Sequence, residues 1–386
     1  MRNRKNAQTW NGPALAWLNL IHAKTRFFVA LSAIGFAVTL IFMQLGFLGA
    51  VLKTATFIYD NLNFDIVLIS PKSLEASYTL PFSRQRLYQA AAIPGVASVA
   101  PFYISFKQWR NPETKFTRSI LTMGFNPKDK VFKDPEINKY RLELQSQDKL
   151  LINRYSRPEF GSRQVGLKTE LGGRDIEVIG FFSMTNSLRA DGTVVMNDQN
   201  FIRLYTGRSF DDISLGLIKV NHQDNINKII QNLRQVLPKD VEVLSREQAG
   251  ERDKNYWLTS TSIGIIFGTG AIMAFIVGTV IVYQVLYSDI TEHLGEYATL
   301  KAIGYSNLRL SKVVLQEAVI LAFLGFLPGF FISSSLYTIT RLATGLPMEM
   351  SYGRASFVFI LANIMCSISA LLSLRQVLTT DPADVF

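Results

Sequence analysis

Phe27 to Leu52 contains no Asp, Glu, Lys or Arg, and a bilayer span needs only about 20 apolar residues. Three more such runs follow. Tyr256 to Ser288 is uncharged and most apolar from Ile263 to Tyr287. Val313 to Thr340 carries only Glu317, near its start, and Ala355 to Leu374 is uncharged. Each exceeds the roughly 10–14 residues of a buried core helix, so four helices in lipid are expected. The first run also outlasts the apolar part of a cleaved signal peptide, about 7–15 residues, and reads as a retained anchor. The 386 residues are 48% hydrophobic and 18% charged, below the roughly 25% charge of a soluble domain.

Charge sets the expected orientation. Arg2, Arg4, Lys5, Lys24 and Arg26 precede the first run, and no acid occurs before Asp60. Basic flanks stay on the cytoplasmic side. Residues 1–26 are then a cytoplasmic amphipathic segment, 27–52 the first span and 53–255 an outer domain. Residues 256–288 form the second span, 289–312 a cytoplasmic link, 313–340 the third span, 341–354 a short outer loop, 355–374 the fourth span and 375–386 a cytoplasmic tail. The net charge of +10 is not gathered into a dense Lys/Arg cluster, and no RNP-like or zinc-finger spacing occurs, which argues against nucleic acid.

The outer domain mixes strand and helix signals. FDIVLIS, SVAPFYISFKQW, RSILTMGF, IEVIGFFSM, GTVVMND and ISLGLIKV are β-branched and aromatic, as strands are. In DNINKIIQNLRQVL, Ile226, Ile229, Ile230, Leu233 and Leu237 share one helical face. RQRLYQAAAI predicts a second helix, ended by Pro94 and Gly95. Ser245 with Gln248 has the spacing of a capping box. An α+β domain of two lobes is expected, joined within 111–147.

Catalytic and metal signals are missing. His22, His222 and His293 are far apart, and no HExxH, GxSxG, CxxC or Gly-Lys occurs, so metal-site, acyl-transfer and P-loop chemistry lack their motifs. Asp211 and Asp212 read as solvated turn residues. Cys366 is the one cysteine, so no intrachain disulfide is possible. The expectation is a chain with no catalytic residues, no metal and no cofactor of its own.

Within the spans, small residues recur at intervals of four: Gly264 and Gly268; Gly325, Gly329 and Ser333; Ala362, Cys366 and Ala370. Such spacing lets helices approach closely, in packing or in a dimer. Pro328 is expected to kink the third span. No Asp, His, Lys or Arg lies near a span centre, whereas ion-coupled carriers use such groups. Glu317 is expected either to snorkel to the interface or to brace the link before it.

The link Thr291–Leu310 places Ile290, Leu294 and Tyr297 on one helical face and Asp289, Glu292, His293 and Glu296 on another. Gly304 suits a helix end, and Ser306 or Asn307 can cap the next helix. The stretch EHLGEYATLKAIGYSNLRLSKVVLQEA resembles the coupling segment of MacB/FtsX-type ABC transporter permeases. IPGVASVAPFY, from Ile93 to Tyr103, resembles the start of the MacB-like periplasmic core. The N-terminal LAWLNLIHAKTRFFVALSAIGFAVTLIFMQLGF is similar to DevC, a cyanobacterial permease.

The resemblance implies four transmembrane helices with a large, two-lobed periplasmic domain between the first and second, in the inner membrane with both termini cytoplasmic. It implies a homodimer working with a separate ABC ATPase that binds ATP and Mg, a periplasmic membrane-fusion adaptor and a TolC-like outer-membrane protein. The cargo it implies is envelope glycolipid or another hydrophobic molecule, driven from the periplasm by motion of the outer domain. Glu292, Gly295, Glu296, Leu300, Lys301, Ala302 and Gly304 would form the ATPase-coupling segment, with Glu317 bracing it. Two alternatives remain: an FtsX-like regulator of a cell-wall hydrolase, and a lipoprotein-releasing permease.

Overall fold

The computed structural model describes residues 24–185, 189–221, 225–292, 295, 299, 303 and 306–379. They form two compact units. One comprises Ala50–Gly264 with Leu342–Pro347, the other the remaining described residues. Among the described residues, four helices are long and apolar enough to cross a membrane: α1 (Lys24–Ala55), α8 (Ser262–Glu292), α9 (Asn307–Thr344) and α10 (Tyr352–Thr379).

Between α1 and α8 the described chain holds helices α2 (Phe57–Asn61), α3 (Gln85–Ala91), α4 (Pro135–Lys139), α5 (Asp198–Leu204), α6 (Ile226–Val236) and α7 (Arg246–Asn255). Its strands are β1 (Ile66–Ile69), β2 (Phe82–Ser83), β3 (Val96–Arg110), β4 (Thr117–Phe125), β5 (Lys149–Asn153), β6 (Leu167–Leu171), β7 (Arg174–Phe182), β8 (Thr193–Asn197), β9 (Asp212–Ile213), β10 (Leu215–Val220) and β11 (Glu242–Ser245). Nine of them make one sheet in the order β11-β1-β10-β3-β4-β8-β5-β7-β6, while β2 pairs with β9.

The end of β3 also pairs with β6, through Trp109 with Leu171 and Arg110 with Glu170. That pairing curls β3, β4, β8, β5, β7 and β6 into a closed ring and so removes an open edge. The remainder, β10-β1-β11, is an antiparallel extension that leaves the ring at β3. β3 therefore belongs to both halves of the sheet, which its length of 15 residues allows. The stretch 111–147 holds β4, the strand that returns beside it.

Alternation along the strands builds two cores, because successive side chains point to opposite faces. Ile66 and Leu68 pack with Leu87, Ala90, Ile229, Ile230 and Leu233. Val67 and Ile69 pack with Phe57, Ile58, Phe102 and Leu217. β1 and β8 are buried on both faces, so they read as continuous apolar runs rather than alternating ones. On α6 the expected face holds for Ile229, Ile230, Leu233 and Leu237, but Ile226 is 39% exposed in the first turn. The capping box is present: the Ser245 hydroxyl accepts from the Gln248 amide, and the Gln248 side chain accepts from the Ser245 amide.

The helix of the second span starts at Ser262, later than the uncharged run that begins at Tyr256 and next to its apolar part from Ile263. Tyr256–Ser260 forms a π-helical turn, and Thr261 is extended at φ −117 and ψ 155. Thr261 Oγ1 then accepts from the Ile263 amide, an N-cap that starts α8 at Ser262. Uncharged residues before that point were indistinguishable from membrane residues by composition alone.

Candidate coupling site

In the four-helix unit, α1 and α9 cross at small residues. A Cβ on Gly325 would meet Ile34 Cβ at 2.6 Å, and one on Gly329 would meet Val38 Cγ1 at 2.7 Å. Thr39 Oγ1 donates to the Gly35 carbonyl at 2.7 Å. α9 runs through Pro328 without interruption. Further along, the Tyr337 hydroxyl donates to the Phe42 carbonyl, and Phe326 stands between Phe42 and Phe359 at centroid distances of 5.9 and 5.2 Å.

α8 meets α10 through hydroxyls: Ser369 Oγ donates to the Thr279 carbonyl at 2.7 Å and Ser373 Oγ to that of Tyr283 at 3.4 Å. Sequence reasoning missed Gly278, where a Cβ would meet Met365 Sδ at 2.5 Å and Ala37 Cβ at 2.7 Å. Ala274, buried and four residues before it, makes the same small-residue spacing, so the signal was present in the sequence and was not read. The expected pair on α8 behaves differently. Gly264 is passed closely by the Leu258 carbonyl of the preceding turn, and around Gly268 there is open space. Ser333, Ala362, Cys366 and Ala370 are all fully buried.

α8 is unbroken from Ser262 to Glu292. Beyond it, Gly295 and Thr299 are helical, Thr299 Oγ1 donates to the Gly295 carbonyl at 2.8 Å, and the Ile303 amide donates to the Thr299 carbonyl at 3.0 Å. α9 begins at Asn307, which puts Ser306 at the cap position. Glu292 and Gly295 are exposed, whereas Ile290 is buried. Ile303 and Leu308 are 72% and 69% exposed. Glu296, Leu300, Lys301, Ala302 and Gly304 lie outside the described residues.

Glu317 is 2% exposed, among buried Val314, Ala318 and Leu321. It does not snorkel to the interface as one expectation had it, because the α9 face that carries it packs inward.

The MacB-like periplasmic core domain family matches residues 27–236, more than half of the chain, and the FtsX-like permease C-terminal family matches residues 268–382. The chain is a MacB/FtsX-type ABC transporter permease. The permease is 22% identical over 309 residues to an uncharacterized ABC transporter permease of Mycobacterium tuberculosis, covering 80% of each chain. It is 23% identical to the macrolide export ATP-binding/permease protein MacB of Acinetobacter baylyi, over 75% of this chain and 45% of that one. Among solved structures, the periplasmic region of MacB from Actinobacillus actinomycetemcomitans is 15% identical, with coverage of 53% of this chain and 98% of that one and a TM-score of 0.38. The extracellular domain of the ABC-type transporter YknZ from Gram-positive bacteria is 16% identical, over 47% and 100%, with a TM-score of 0.32.

The permease thus carries a MacB-like α+β outer domain and four apolar helices. Membership implies an ABC ATPase as its partner.

Proposed function

We propose that the permease is the membrane subunit of a tripartite exporter, in which a separate ATPase pushes on the segment between α8 and α9. The observation that carries the reading is that Glu292, Gly295, Ile303 and Leu308, around the junction of α8 and α9, are exposed. An interface of that composition combines an apolar anchor with a charged rim. ATP and Mg are bound by the partner, and this chain supplies no catalytic group. α8 is a hydrogen-bonded rod, so a displacement at Glu292 reaches Ser262 with little loss. The link faces the cytoplasm and both termini lie on that side, following the basic N-terminal flank.

Two permeases work with two ATPases. α8 offers the meeting face: Gly268 has open space around it, and Ile265, Ile272 and Ile276 are exposed. The outer domain passes cargo to a membrane-fusion adaptor and a TolC-like duct. Apolar span interiors without a central charge suit transmission of force rather than an ion path. The DevC-like stretch from Leu15 to Phe47 favours envelope glycolipid, or another hydrophobic molecule, as the cargo.

The test is Glu296→Lys, or a proline in place of Ala298, in the chain coexpressed with its ATPase. Membrane insertion is expected to be unchanged and stimulation of ATP hydrolysis lost. Normal stimulation and export by both variants would remove the link from the mechanism. Copurification of a cell-wall hydrolase, or of a soluble lipoprotein chaperone, in place of an adaptor would replace export with one of those roles.

A further inference from the structure

The loop of residues 70–81, between β1 and β2, has its polarity reversed. Ser73, Glu75, Ser77 and Thr79 are buried, while Leu74, Tyr78 and Leu80 are 44%, 53% and 43% exposed. An ordinary surface loop turns its polar groups to water. Here Ser73, Glu75 and Ser77 turn inward to partners in the loop and the surrounding domain, while the Thr79 hydroxyl is buried without one. The Ala76 amide donates to Asp253 Oδ2 at 2.8 Å, the Ser77 amide donates to Glu75 Oε2 at 3.1 Å, and the Leu80 amide donates to Ser73 Oγ at 2.9 Å. Arg252 donates to the Ser73 carbonyl. Arg189 Nε lies 3.3 Å from Glu75 Oε1, and its guanidinium covers the Trp257 ring at 5.1 Å. The loop is held in one conformation, so its apolar side chains are presented rather than merely loose.

The fastening points say what faces them. Arg252 and Asp253 end α7, and Tyr256 and Trp257 follow, just ahead of the span that starts at Ser262. Asp253 precedes that start by only nine residues of chain, five of them in the π-helical turn. The loop is therefore anchored at the end of the outer domain that adjoins the bilayer, where headgroups extend several ångströms beyond the hydrocarbon. Its exposed residues are Pro71, Lys72, Leu74, Tyr78, Leu80 and Pro81. None is acidic, and Lys72 is a cation of the kind that meets lipid phosphate. Tyr suits the interface, with an apolar ring and a polar tip.

We infer that the loop of residues 70–81 is a lipid-surface contact, seating Leu74, Tyr78 and Leu80 at the headgroup–acyl boundary of the leaflet beside the outer domain. This contact is independent of the ATPase reading and stands if that reading fails. It gives the outer domain a footing on the leaflet from which a hydrophobic cargo would be drawn.

The experiment uses the full chain with Cys366→Ala, carrying Leu74→Cys, Tyr78→Cys or Leu80→Cys in turn. Each is labelled with the environment-sensitive dye NBD and reconstituted in phosphatidylcholine–phosphatidylglycerol vesicles, with and without acyl-brominated lipid. Phe116→Cys, 79% exposed beyond the end of β3, serves as the water-facing reference. The expected result is blue-shifted emission at the three loop sites, quenched at least twofold more by brominated lipid than at 116. Water-like, unquenched emission at all three sites overturns the inference. So does a blue shift without quenching, which would put the loop against protein, such as a second copy of this chain.

Discussion

Gly329 of α9 lies so close to Val38 of α1 that a Cβ added to the glycine would stand 2.7 Å from Val38 Cγ1 and 2.9 Å from the Gly35 carbonyl. One of these neighbours is backbone, so the crossing can admit a side chain only by separating the helices. Gly329→Val should therefore destabilise the four-helix unit by about 1–3 kcal/mol, the usual range for overpacking. Gly353→Ala is the control, since nothing lies within 4 Å of a Cβ there. Thermal unfolding of the detergent-solubilised chain should show a lowered Tm for the first and none for the second.

Asp253 gives the outer domain a pH dependence. Burial raises its carboxyl to about 7; the Ala76 amide and Arg252 oppose the rise, and Glu75 adds to it. The folded state then holds a proton that the unfolded chain releases near 3.8. The contribution of Asp253 to stability is fully present below about 4, falls as pH rises toward 7 and is lost above it, because the native state binds more protons across that window. Tyr59, which hydrogen-bonds to Asp253, also opposes the rise of that carboxyl. Asp253→Asn, which keeps an acceptor for Ala76, should flatten the fall in Tm between pH 5 and about 8. An unchanged slope would assign the dependence to another group.

Arg246 ties the start of α7 to the chain leaving α1. Its guanidinium donates to the carbonyls of Tyr59 at 2.6 Å, Leu62 at 2.9 Å and Phe64, and lies 4.3 Å over the Phe64 ring. Each bond to a charged donor contributes about 1.5–3 kcal/mol. Arg246→Ala should therefore lower stability by about 3 kcal/mol or more, and Arg246→Lys should recover only part, lacking the planar fork. Denaturant unfolding of the three forms in one detergent checks the order.

Ile303 is exposed in the permease alone, so replacing it should not disturb insertion. Covering an isoleucine contributes about 1.5–3 kcal/mol, which corresponds to roughly 10- to 100-fold in affinity. Ile303→Asp should raise the permease concentration needed for half-maximal ATPase stimulation by at least about tenfold. An unshifted titration would place the docking surface elsewhere on the link.

Much of the architecture was legible in order along the chain. The four spans follow from the cost of placing charge in hydrocarbon, which acts on any window of residues regardless of its neighbours. The strands at 66–69, 96–110 and 117–125, the α6 face and the Ser245 cap are likewise local, set by side-chain period and by hydrogen bonds three residues apart. The resemblance in Glu292–Ala318 implies a coupling segment, of whose residues Glu292, Gly295 and Glu317 lie among the described ones. Burial of Glu317 depends on which way α9 turns its face, and a single helix does not contain that information.

What only the tertiary structure decided is non-local. The Ala76–Asp253 bond joins residues 177 positions apart, and the β3–β6 pairing that closes the ring joins strands with β4 and β5 between them. Gly278 proved to be a packing point and Gly268 an open one, although both are glycines in the same apolar helix. Composition and period determine what each segment can be, because solvation and backbone hydrogen bonding act residue by residue. Partners are chosen by shape and charge meeting across the folded molecule, and those meetings exist only once the segments have been brought together.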